Sequence, residues 1–188
     1  MTEAVINNLP ELLKNHVCTL KKASMDKTNH QTMCDSHIKV VEFDKIPDEY
    51  ARGKGWRGVP KSNDALYIDT KDEWFFVEFK NGAVKKDEIY RKMYDSLIML
   101  VELEIIPNFD FARNNINYIL VYNEGKKLPC IESESRNLIY DHHEKLAKKE
   151  KNYLMLINLK SIYFMKLIHT QRCYSKKNLL IQKKKKSV

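Results

Sequence analysis

Trp74-Phe75-Phe76-Val77-Glu78-Phe79-Lys80 is the stretch on which the reading of the fold turns. Aromatic and β-branched residues dominate it, so it reads as a strand. Strand alternation puts Trp74, Phe76, Glu78 and Lys80 on one face, and Phe75, Val77 and Phe79 on the other. Two opposite charges therefore leave the same face of an otherwise apolar strand. Burying an ionised carboxylate or ammonium is costly unless it is paired or bound to a metal.

The neighbouring sequence gives that strand a setting. Ala65 to Ile68 reads as a second strand, joined to the first by the polar turn Asp69 to Asp72, so the two form a hairpin. Asp64 stands just ahead of this partner strand and is brought toward Glu78 and Lys80. Asn81-Gly82 ends the second strand. From Lys85 to Glu104 the period becomes helical, with Ile89, Met93, Leu97, Leu100 and Val101 on one face beside Tyr90 and Tyr94, and Pro107 stops the helix. Ile116 to Tyr122 is a β-rich run, so Trp74 to Tyr122 forms a strand–helix–strand unit expected to be a right-handed parallel crossover.

Upstream, Glu3 to Ser24 has helical spacing with a break or restart at Pro10. Met25 to Asp35 reads as loop, Ile38 to Ile46 as a strand, and Ala51 to Asn63 as a flexible basic loop holding Gly53, Gly55 and Gly58. Downstream, Ser133 to Lys149 reads as a surface helix, and at least one of Tyr153 to Ile157 and Ile162 to Ile168 as a strand. The expected fold is α/β, a mixed sheet with helices on both faces and C-terminal additions. Residues 1–169 are expected to form one domain and residues 170–188 a basic, disordered tail.

Composition narrows the class. The 188 residues are 43% hydrophobic and 10% aromatic, enough for a core and too much for a fully disordered chain. The formal net charge of +8 favours a polyanionic partner, although Lys183 to Lys186 supplies half of it. Cys18, Cys34, Cys130 and Cys173 are too scattered for a structural zinc site and are expected to be reduced thiols in a cytoplasmic protein. No apolar run approaches the roughly 20 residues that span a bilayer.

Two carboxylates converging with a lysine suit phosphodiester hydrolysis. Asp64 and Glu78 would hold Mg²⁺ or Mn²⁺, hard cations that take oxygen ligands and keep several waters. The Phe79 backbone carbonyl is a further candidate ligand. Lys80 would orient the attacking water or stabilise developing negative charge. At these residues the chain resembles a known group: Asn63-Asp64 followed by Phe76-Val77-Glu78-Phe79-Lys80 is similar to the PD-(D/E)xK signature of restriction-endonuclease-like nucleases. Here the proline of the signature is displaced, with Pro60 four positions before Asp64. The resemblance implies a helix–strand–strand–strand–helix–strand core, Asp64 and Glu78 as metal ligands, and Lys80 as catalytic lysine. It also implies a further acid from the first helix or strand, for which Glu42 and Glu11 are the candidates.

Other residues are candidates for contact with nucleic acid. Arg52, Lys54, Arg57 and Lys61 can neutralise phosphates, and Trp56 is either a stacking surface or a side chain tucked into the core. On the crossover helix, Lys85, Lys86, Arg91 and Lys92 flank the end of the site strand; Lys85 or Lys86 could contact the scissile phosphate, and most of the four read as a solvated helix face. The six dispersed histidines have no ligand geometry, and neither a phosphate-binding loop nor a Ser or Cys nucleophile signature is present. The expected function is that of an Mg²⁺- or Mn²⁺-dependent nuclease acting on DNA or RNA; the resemblance adds a homodimer as a candidate assembly, and an inhibitor or partner protein is another candidate partner. The alternative is a non-catalytic module on the same fold that binds nucleic acid or protein.

Overall fold

The computed structural model describes residues 1–82, 85–123 and 161–167, the last stretch as backbone alone. Its N-terminal segment is more broken than the helical spacing suggests. Helices α1 (Glu3–Asn7) and α2 (Glu11–Lys14) flank Pro10, which stands at the N-cap of α2. Strand β1 (Val17–Thr19) follows, where the β-branched Val17 and Thr19 leave the helix for a sheet edge. Thr19 then caps the short helix α3 (Leu20–Ala23), its hydroxyl accepting a bond from the Lys22 amide. The polar stretch expected as loop contains a two-stranded ribbon, β2 (Met25–Asp26) with β3 (Gln31–Thr32).

Strand β4 (Lys39–Glu42) is shorter than the alternation predicts, because the chain turns through a 3₁₀ segment at Phe43–Lys45 into helix α4 (Ile46–Gly53). The signals of α4 were present in the sequence. Pro47 sits in its first turn with Asp48 and Glu49, which suit the positive end of a helix, and Gly55 follows its end at φ +69°. The Trp56 amide bonds the Ala51 carbonyl and the Gly55 amide that of Arg52, the paired bonds of a Schellman cap. Thus only the part of the expected basic loop beyond Gly53 is irregular.

The remaining described elements are β5 (Ala65–Ile68), β6 (Trp74–Lys80), α5 (Lys86–Glu102), α6 (Phe109–Asn115), β7 (Ile116–Asn123) and β8 (Ser161–Leu167). Helix α6 was not anticipated from the sequence; Asn108, behind Pro107, caps it by accepting from the Phe111 amide. One six-stranded sheet runs in the order β1-β4-β5-β6-β7-β8. Neighbours from β1 to β6 are antiparallel, and β6, β7 and β8 are parallel. The fold is therefore a mixed sheet flanked by helices, with the parallel β6–α5–β7 connection expected from the sequence.

The core forms where α5 meets the sheet. Met93, Leu97 and Leu100 of α5 are fully buried, as are Phe43, Leu66 and Phe76. Phe43 and Phe76 meet edge to face at 5.4 Å, a contact that adds about 0.5–1.5 kcal/mol beyond area burial. Cys18 is a buried free thiol, but Cys34 is disulfide-bonded, which departs from the reduced state expected of it. The expected helix Ser133 to Lys149, the run Tyr153 to Ile157 and the tail from residue 170 lie outside the described residues.

Candidate active site

Hairpin register builds the site. The turn at Asp69 to Asp72 is tied by the Asp69 carboxylate, which accepts from the Lys71 and Glu73 amides at 2.7 and 2.8 Å, and Asp72 takes φ +59°. Ala65 then pairs with Val77 and Ile68 with Trp74. One step beyond Ala65 and Val77, Asp64 meets the end of β6 beside Glu78, on the face that Phe76 shares. A slip of one residue would send Glu78 to the other side of the sheet.

The Asp64 carboxylate is anchored at both oxygens. Oδ2 accepts from the Phe79 amide at 2.7 Å, and Oδ1 accepts from Lys92 Nζ at 3.1 Å. The same ammonium donates to Glu78 Oε1 at 2.6 Å. Lys80 Nζ stands 3.2 Å from Glu78 Oε1 and 3.6 Å from Glu88 on α5. Glu78 has no solvent exposure, and its second oxygen, Oε2, is buried with no hydrogen-bond partner. Asn63 is buried beside the site, with its amide nitrogens bonded to the Ser96 hydroxyl. Asn63 Oδ1 and the hydroxyl of Tyr118, which lies opposite Phe76 in β7, are further buried oxygens without a hydrogen-bond partner.

These surroundings disfavour two adjacent negative charges. Burial and then the Asp64 charge push the Glu78 carboxyl up from 4.5 to about 7, against the pull of Lys92 and Lys80. Burial also raises Asp64, opposed by Lys92 and the Phe79 amide. Burial works against the charge on Lys92, but Asp64 and Glu78 outweigh it and hold the ammonium above its usual range. Tyr118 is raised well above a free phenol by burial and by the charges of Glu78 and Asp64, so its hydroxyl is protonated.

Asp64, Glu78 and Lys80 thus converge, and Lys92 joins them. Lys92 belongs to the four basic residues of this helix of which most were expected on a solvated face, and none was named as a partner of the carboxylates. The signal that places it elsewhere is a polar stripe at four-residue spacing: Glu88 reaches Lys80, Lys92 reaches both carboxylates, and Ser96 holds Asn63. That stripe runs beside the apolar Ile89, Met93 and Leu97, so the α5 face turned to the sheet is part core and part site.

Glu42 does not join. It pairs with Ala65, which pairs with Val77, so it belongs to the row facing away from Glu78. Its carboxylate meets Lys22 at 3.0 Å. Glu11 is exposed on α2. Among the described residues, no group of three or more His, Cys, Asp or Glu side chains is arranged to hold a metal ion.

The donor set nevertheless suits a hard divalent cation. Such ions bind through one or two carboxylates and fill their shells with water. One Lys92 nitrogen touching both Asp64 and Glu78 shows that a single positive centre can bridge the pair, and Glu78 Oε2 is a buried oxygen in want of a partner.

Of the candidate basic residues, Lys61 is tied to α5 one turn from Lys92, and Lys54 to the C-terminal end of that helix. The Lys61 amide bonds Asp95 on α5 at 2.9 Å, tying the loop after α4 next to the turn that carries Lys92. Trp56 is 53% exposed and meets Tyr50 edge-on, so it is not tucked into the core. Arg52, Arg57 and Lys61 are exposed, whereas Lys54 is bound to Glu102 at 2.8 Å. Lys85 is exposed and pairs with Glu88, and the backbone of Lys86 opens α5. No helix among the described residues is long and apolar enough to cross a membrane. No protein-family model, curated protein or solved structure matches the chain.

Proposed function

We propose that the protein is a nuclease of the PD-(D/E)xK kind, hydrolysing phosphodiester bonds with Mg²⁺ or Mn²⁺ held by Asp64 and Glu78. The observation that carries this reading is the meeting of both carboxylates at one cationic centre, 2.6 Å and 3.1 Å from Lys92 Nζ, at the end of a strand that also bears Lys80. The element order around it, two antiparallel strands, a crossover helix and a parallel strand, supports a restriction-endonuclease-like core.

The bound cation would polarise the scissile phosphate and acidify a water. Asp64 presents its oxygens in a fixed orientation because the Phe79 amide holds Oδ2. A residue's N–H and C=O leave a strand on the same side, so the Phe79 carbonyl is directed to this edge as a further oxygen. Lys80, on the Glu78 face and partly exposed, orients the attacking water or offsets charge developing on the phosphate. Trp56, Arg57 and Lys61 supply a stacking surface and positive charge for the polynucleotide.

The expected result is metal-dependent cleavage of DNA or RNA by the wild-type protein, lost in Asp64→Ala and Lys80→Ala variants that keep the wild-type circular-dichroism spectrum. Folded wild-type protein inert toward both polymers with both metals would overturn it.

A second reading is favoured by one observation. Lys92 and Lys80 already balance the two carboxylates, as suits a site that no longer takes a metal. The protein would then be a binding module using its exposed basic residues Arg52, Arg57 and Lys61. Calorimetric titration separates the two: heat with Mn²⁺ that disappears in Glu78→Gln supports the nuclease, and no heat supports the module.

A further inference from the structure

Lys92 is the residue of the site whose position is hardest to reconcile with a passive role. Its ammonium lies between Asp64 Oδ1 and Glu78 Oε1, at 3.1 and 2.6 Å, where a cation shared by the two carboxylates must sit. Lys80 is placed differently, touching Glu78 alone among the pair and dividing itself with Glu88. The Lys92 side chain is one-fifth exposed, so the four-carbon stem has a path toward solvent.

We infer that Lys92 is a built-in counter-cation that holds the carboxylate pair ready in the resting protein and is expelled when a divalent cation binds. The inference rests on the metal-binding reading of Asp64 and Glu78 and adds a competitor to it. Two carboxylates buried side by side repel each other, and an uncompensated buried charge is strongly destabilising. A tethered ammonium offsets part of that penalty without a metal. It cannot keep both bonds once a divalent ion takes the same oxygens, because ammonium and metal would be like charges within a few ångströms of each other. Displaced, Lys92 remains tethered one helical turn from Asp95 and the Lys61 loop, on the edge where an anionic substrate would lie. Metal uptake would thereby free one positive charge for the phosphate backbone.

The test compares Mn²⁺ binding by wild type and Lys92→Met, which keeps the length of the stem and removes the charge. Calorimetry should show Mn²⁺ bound at least about tenfold more tightly by Lys92→Met. Melting without metal should be lowered in the variant, and Mn²⁺ should raise it by more than in wild type. Binding by both proteins with equal or weaker affinity in Lys92→Met would overturn the inference and leave the metal site standing. No Mn²⁺ bound by either folded protein would overturn the metal reading itself, and the inference with it. Should Lys92→Met not fold, wild-type protein carries the test by NMR. The Lys92 side-chain ammonium signal should move toward that of a solvated lysine as Mg²⁺ saturates the site. A signal unmoved while Mg²⁺ binds would overturn the inference.

Discussion

Glu42 and Glu78 lie in the same sheet, separated by the single strand β5, and both are buried, at 9% and 0% exposure. Their surroundings differ in kind. Glu42 meets one lysine, Lys22, whose own side chain is two-thirds exposed. Glu78 faces a second carboxylate, two lysines and the buried Tyr118 hydroxyl, and one of its oxygens has no partner. The cause is parity in the ladder. Glu42, Ala65 and Val77 form one row of the sheet, while Glu78 follows Val77 and points the other way, toward α5. One residue along a strand separates an acid tied to a surface lysine from an acid built into a polar cluster.

That contrast can be broken most sharply by neutralising each acid in turn. Glu78→Gln should lower metal-dependent cleavage by about a thousandfold or more, since it removes a proposed metal ligand, whereas Glu42→Gln should leave the rate within about twofold. Initial rates on a labelled polynucleotide decide it, and equal losses in both variants would return Glu42 to the site.

A smaller effect concerns pH. With its carboxyl raised from 4.5 to about 7, folded Glu78 binds a proton that the unfolded chain releases between those values. The stability held by that proton is fully present below about pH 4.5 and is lost as pH rises through about 7. Denaturant melts of metal-free protein should therefore lose up to about 1.4 kcal/mol per pH unit from this group. Glu78→Gln should flatten that slope and Glu42→Gln should not. A slope unchanged in Glu78→Gln would show that the proton resides elsewhere in the cluster.

The smallest effect is expected at Lys22. The pair joins a two-thirds exposed ammonium to a buried carboxylate, so water screens only the lysine end and Lys22→Ala should lower stability by about 1 kcal/mol. A loss of several kcal/mol would mean that Glu42, too, depends on buried charge compensation.

The local chemistry of Trp74 to Lys80, the hairpin to Asp64 and the helical period after Lys85 could be read directly, because alternation and turn residues act over a few positions. Helix α4 carries its signals in Pro47 and Gly55, which the expectation of a flexible basic loop from Ala51 to Asn63 did not use. The segment before Ser24 was not legible, since its apolar spacing suits a helix until Val17 and Thr19 find β4 as a partner.

The sequence by itself determined that an acid and a lysine would leave one face of an apolar strand, with a second acid nearby. Strand periodicity is local, so no partner was needed to see it. Only the tertiary structure decided which row each acid joined and that Lys92 would leave its helix surface to bridge Asp64 and Glu78. Those outcomes depend on ladder register and on the rotation of α5 against the sheet, which are set by contacts between residues far apart in the chain.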